Sequence, residues 1–142
     1  MAHKREEIRK SVLAMLSTPV DDVYPTAAGS NVFANRIAPL WDIELPAILI
    51  YPRSESSTPR AVGSRQLIRT LNLVIELVNE ASDELDDSLD DLAQQVETII
   101  SSDPSLGAKA ISTILTSTET TLDEGKKLIG KMTLSFEVIY IE

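Results

Sequence analysis

The 142-residue chain is 43% hydrophobic and 25% charged with a mean hydropathy near zero, which fits one ordinary globular domain over residues 1–142 and not a disordered tail or a two-domain enzyme. It has no Cys and a single His, so disulfide scaffolds, thiolate nucleophiles and cysteine-based zinc sites are excluded, and only carboxylate, lysine or hydroxyl chemistry remains. The formal net charge of -9 is concentrated, because residues 70–108 hold ten acids and no Lys or Arg; this predicts one acidic surface and argues against nonspecific nucleic-acid affinity.

Residues 3–17 place Ile8, Val12, Met15 and Leu16 at helical spacing among charged residues, with Pro19 just beyond, and predict a first amphipathic helix. Pro25, Gly29 and Pro39 punctuate the connector that follows, in which only Asn31–Phe33 reads as a short extended piece. Leu45–Tyr51 is a compact run of strand formers closed by Pro52 and predicts a buried strand. Arg53–Ser64 is rich in Ser, Pro and Gly without apolar periodicity and predicts a long mobile loop between two strands. Leu67–Asn79 alternates, with Leu67, Leu71, Leu73, Ile75 and Leu77 on one parity, and predicts a long strand.

At Ser82, a candidate N-cap, the period changes: Leu85, Leu89, Leu92, Val96 and Ile99 recur at spacings of four and three, and Asp103-Pro104 ends a second helix predicted over residues 82–101. Beyond it, Ala110–Leu115 predicts a short strand, Thr116–Gly125 a polar turn and Ile129–Ile141 a last strand. The element order is αββαββ. It predicts an α+β fold with a four-stranded, mostly antiparallel sheet and both helices packed on one face. Ile68, Val74, Val78, Ile139 and Ile141 fall on the other parity, so the second sheet face is expected to be partly apolar, and homo-oligomer formation follows from that.

No motif points to catalysis or to a cofactor. The run DELDDSLDD has a calcium-loop composition, yet Leu85 and Leu89 interrupt it at helical spacing and no Gly supplies the sharp turn, so it reads as a solvated helix face. Asp90 and Asp91 are paired carboxylates, but nothing in the pattern gives them the buried setting that acid–base work needs. His3 sits in a first turn expected to fray, with no partner that would complete a constellation. Arg53, Arg60, Arg65 and Arg69 gather around the Ser-rich segment and are candidate partner-contact residues, since guanidinium groups bind carboxylate or phosphate bidentately. The few aromatic residues make no base-stacking surface, and Trp41 and Phe136 are expected in the core. The longest apolar stretches fall well short of the about 20 residues a membrane helix needs, and the N-terminus has no apolar signal core.

Several segments together resemble the tail terminator family of long-tailed bacteriophages and prophages, the group that includes the minor tail protein U of lambda-like phages. They are Asn31-Val32-Phe33 with Arg36 and Pro39-Leu40, the strand Leu45–Tyr51, the long strand Leu67–Val78 with the helix after Ser82, Leu115–Glu119, and Gly125–Tyr140 with its Leu134-Ser135-Phe136-Glu137-Val138. The resemblance implies a structural subunit of the virion tail, assembled in the host cytoplasm. It implies a self-assembled hexameric ring that caps the head-proximal end of the tail tube, stops its polymerisation and offers a surface to head–tail connector proteins. The partners implied are further copies of the chain, the tail tube protein and the connector, with no nucleic-acid sequence recognition, membrane or cofactor. The residues by themselves also permit a small dimeric α+β regulatory or ligand-binding domain.

Overall fold

A computed structural model describes residues 3–34, 45–80, 85–124 and 128–142. The elements in chain order are α1 (Lys4–Ser17), β1 (Val32–Ala34), β2 (Ala47–Pro59), β3 (Leu67–Glu80), α2 (Leu85–Ser102), β4 (Ser112–Glu124) and β5 (Leu128–Ile141). The expected α+β architecture holds, but the sheet has five strands in the order β1-β2-β3-β5-β4 and is mixed. The difference is β1, the short extended piece around Asn31–Phe33, which pairs parallel with Ile48–Ile50. All other neighbouring strands are antiparallel.

Two segments differ from the sequence reading. Arg53–Pro59 is not a loop: it continues β2 and pairs with β3 as far as Pro59 opposite Leu67, so the connection shrinks to residues 60–66. Thr116–Glu124 is not a turn: it continues β4 against β5. Both belong to strands on the sheet's margins, where side chains on either face can remain in water. Strand structure there needs only one partner ladder and no apolar face, so the periodicity that betrays a half-buried strand is missing. Each of the two strands also carries a register irregularity, between Pro52 and Ser54 in β2 and between Leu115 and Ser117 in β4.

Rows of residues across the sheet explain the core. Ile48, Leu77, Met132 and Thr120 lie opposite one another, and Ile50, Ile75, Leu134 and Thr118 form the next row. Within these rows the β2, β3 and β5 members are buried, joined by Leu71, Leu73, Phe136, Val138 and Tyr140. From α1 come Ile8, Val12 and Leu16; from α2 come Leu89, Leu92, Ala93, Val96 and Ile100, so the inward stripe follows the predicted period with Ile100 fully buried and Ile99 at its margin. Gly130 has no Cβ where Leu85 packs: a Cβ there would come within 2.5 Å of that side chain. After α2, the Asp103 carboxylate accepts hydrogen bonds from the Ser105 hydroxyl (2.7 Å) and the Gly107 N–H (2.9 Å), closing a turn whose Leu106, Gly107 and Ala108 all have positive φ. These bonds hold the Asp103 carboxyl below its ordinary pKa. Ser82, Trp41 and Gly125 lie outside the described residues, and Phe136 is in the core as expected.

Leu92 is at the centre of the helix–sheet interface and 2% exposed. Leu92→Ala should therefore lower unfolding free energy by about 2–5 kcal/mol in a denaturant titration, the range for a cavity that the surroundings only partly fill. A cost near zero would place α2 elsewhere.

Candidate interaction surfaces

Among the described residues, Glu55 is an acid on which interactions from three elements converge. It follows the β2 irregularity opposite Leu71, which turns its side chain to the helix-bearing side of the sheet although its neighbours are Ser54 and Ser56. Its Oε2 accepts from Arg5 Nη1 of α1 (2.8 Å) and Arg69 Nη1 of β3 (3.3 Å), and its Oε1 accepts from the Tyr140 hydroxyl of β5. Tyr140 is fully buried; burial first, then its bond to the Glu55 carboxylate, pushes its pKa up, so the phenol stays a neutral donor across the biological pH range. Arg69 Nε is buried without a partner, which leaves one donor of this knot unmatched.

The first turn of α1 closes over the same place. His3 is the N-cap: its Nδ1 accepts from the Arg5 N–H (3.0 Å), its Nε2 lies 3.1 Å from Glu142 Oε2, and its ring meets Tyr140 edge-on. The expectation of a frayed turn is thus corrected. A cap and a carboxylate at the far end of the chain secure it, and a single His in a sequence gives no sign of a partner 139 positions away.

The four arginines singled out from the sequence separate. Arg69 is mostly enclosed and bound to Glu55. Arg60 closes the 60–66 loop, its backbone N–H donating to the Gln66 carbonyl (3.0 Å) and its Nη1 to Gln66 Oε1 (2.9 Å). Arg53 is exposed beside the Tyr51 phenol, and Arg65 is exposed in the loop. The structure therefore leaves Arg53, Arg60 and Arg65 at the protein surface, Arg53 part-way along β2 and Arg60 and Arg65 in the 60–66 loop, and encloses most of Arg69.

The sheet face away from the helices is more polar than its parity suggests. Val74 and Val78 are buried, but between the strands run Tyr51, whose hydroxyl donates to Glu76 Oε2 (2.9 Å), and Lys131, 3.8 Å from Glu76 Oε1. Burial first, then the Glu76 bond, raises the Tyr51 pKa. Ser54, Ser56, Thr70, Asn72, Thr116 and Glu137 line a shallow depression of about 340 Å³ there. The second face, expected to be partly apolar, is thus a mixed one. Of the large exposed apolar side chains Ile114 lies on this face, opposite Glu137; others lie elsewhere, with Val20 and Val23 on a tight turn with Asp21 and Asp22 at positive φ, Val62 at the tip of the 60–66 loop, Ile111 just before β4 and Leu122 on it. The acids Asp86, Asp87, Asp90, Asp91 and Glu97 cover the solvent side of α2, as the charge pattern predicts. Among the described residues, no group of three or more His, Asp or Glu is arranged to hold a metal ion, and no helix is long and apolar enough to cross a membrane.

What remains is a set of surfaces, and comparison with known proteins shows the family of the chain that carries them. The profile of the phage minor tail protein U family matches residues 3–140. The chain belongs to this family. It is a structural protein of the phage tail, a virion component. Among solved structures, a chain from the virion of a native gene transfer agent particle is similar over 98% of this chain and 92% of that one, at 11% identity and a TM-score of 0.44. A comparison with curated proteins finds no significant match.

Glu55 and the exposed arginines can be told apart by experiment. Glu55→Ala strands Arg69 and the Tyr140 hydroxyl in a largely enclosed place and should cost roughly 3 kcal/mol of unfolding free energy, with Tyr140→Phe costing about 1 kcal/mol. Arg53→Ser with Arg60→Ser should leave the melting temperature within a degree or two, about what surface positions tolerate. A melting temperature lowered as far as by Glu55→Ala would make those arginines part of the fold.

Proposed function

We propose that this protein terminates the tail: copies of it form a hexameric ring on the head-proximal end of the completed tube, stop tube polymerisation and present the surface that head–tail connector proteins join. The observation that carries this reading is family membership over nearly the whole chain, residues 3–140. The surfaces described above support it. A closed ring uses heterologous contacts, so each subunit needs two different complementary patches, and the acidic face of α2 and the exposed Arg53, Arg60 and Arg65 are patches of opposite sign. Charges of this kind set orientation and association rate more than affinity. The protein acts by binding alone, without catalysis, and its partners are its own copies, the tail tube protein and the connector. It acts in the host cytoplasm during assembly and remains in the virion.

Assembly in its absence tests the reading. Tails made without the protein should exceed their set length and fail to join heads, as seen by electron microscopy, and purified protein added early should restore joining. Arg53→Ser with Arg60→Ser should weaken that rescue, and added salt should weaken rescue by the unaltered protein, since exposed charges beyond about 8 Å are screened at physiological ionic strength. Head-competent tails of normal length without the protein would sink the reading, and a closed two-fold dimer in solution would favour the dimeric regulatory alternative.

A further inference from the structure

The sheet has two margins that no described strand covers, and their backbone polarity can be worked out. The Ile48 N–H donates to the Asn31 carbonyl of the connector, so the Ile48 main chain faces away from β3. Facing directions alternate from strand to strand along an antiparallel row. Leu77 therefore faces β5, Met132 faces back to β3, and Thr120 at the end of the row faces outward; Thr118, two residues away, does the same. On the other margin β1 covers β2 only from Ile48 to Ile50. Past the β2 irregularity, Glu55 lies opposite Leu71, which shares the facing of Leu77, so Glu55 and Ser57 face outward, and Pro52 and Pro59 bracket them.

The two margins fit each other. β4 is Thr-rich and free of Pro, Lys and Gly, exposed on both faces from Thr116 to Leu122, with Ile114 and Leu122 also exposed; this is the kind of edge that accepts another strand. Its charge is acidic, with Glu119, Asp123 and Glu124 and no base from Ser112 to Glu124. The free part of β2 has exposed Arg53 with Arg60 just beyond, and its one acid, Glu55, is engaged by Arg5 and Arg69. Because β2 runs opposite to β4 within one sheet, a neighbour that keeps the same strand axis brings its β2 antiparallel to this β4.

We infer that β4 of one subunit pairs antiparallel with the Arg53–Thr58 stretch of β2 in the next, so that the sheet continues across the subunit boundary. The inference rests on the ring reading above and names its interface. The occupant of each edge is a second copy of this chain. Pro52 and Pro59, which have no N–H to donate, confine the ladder to the outward groups between them and so fix its register.

The absence of Cys allows a direct test. Ser57→Cys protein is mixed with Thr118→Cys or Thr120→Cys protein at concentrations where the chain self-associates, and treated with a short bis-maleimide. Mixed dimers between the β2 and β4 positions are expected to dominate. Dimers joining two β4 positions, or no mixed product, overturn the inference, including the case where the protein stays monomeric. Separately, Thr120→Pro removes an outward N–H and should keep the melting temperature close to that of the unaltered chain while weakening self-association about tenfold or more, the equivalent of one or two hydrogen bonds. Unchanged association by a folded Thr120→Pro protein also overturns it; if that variant does not fold, the cross-linking decides. Tails that terminate normally while the mixed product is missing would sink this interface and leave the terminator reading standing, whereas normal tails without the protein would sink the terminator reading itself.

Discussion

The β3–β5 ladder is the constraint on which the rest of the molecule depends. It runs without irregularity from Ile68 opposite Ile141 to Glu80 opposite Ile129, so facing and parity carry through its whole length. Once Leu77 is fixed toward the helices, Leu71, Leu73 and Ile75 follow, and Met132, Leu134, Phe136 and Val138 are fixed by pairing. A slip of one residue would turn that entire set to the other face and replace it by Asn72, Glu76, Thr133 and Glu137. No other pairing in the sheet has so much apolar area at stake, because the flanking strands β2 and β4 each depart from regular register part-way.

Where the apolar rows give out, a polar knot takes their place. Arg69 and Tyr140 are direct partners on β3 and β5 and continue the buried rows toward the end of the sheet, but with groups that need hydrogen bonds. Glu55 supplies them from β2, and Arg5 brings α1 to the same carboxylate. The start of α1 is thus located by charge-assisted bonds, while its later turns are located by Ile8, Val12 and Leu16. Such a knot adds less to stability than an apolar replacement of equal volume could, yet removing any one partner is costly, so it serves to fix where the helix begins.

The sequence made legible whatever buries one face. Both helices, the start of β2, all of β3 and β5, and the core stripe of α2 follow from periodicity, because burial of one face is what periodicity records. The acidic side of α2 was equally readable from charges placed off the Leu89, Leu92 and Val96 stripe. Arg53–Pro59 and Thr116–Glu124 were not readable, since an edge strand with both faces in water satisfies its backbone from one neighbour and leaves no pattern in its side chains. For the same reason the four arginines looked like one cluster. Their separation depends on the β2 irregularity, which reverses the facing of Glu55 and makes Arg69 an internal partner, and neither event has a local signature.

Prolines within a strand usually argue against it, but here their placement is compatible with one. Pro52 and Pro59 both occupy β2 at rows whose main chain faces away from β3, as the facing of Leu73 and Leu67 toward β5 requires, so neither removes a bond inside the subunit. Their effect is confined to the outer side, where they leave a short window of donors centred on Glu55 and Ser57. β4 has no such protection along its length. An edge open along its whole length beside one nearly closed is a poor arrangement for two identical edges meeting, which would join the open ones and leave the bracketed ones unused. It suits unlike edges, because the bracketed strand limits how far and in what register the open one can pair. In the proposed ring each boundary would then add few hydrogen bonds, and stability would come from closure and from the surface it caps more than from any single boundary.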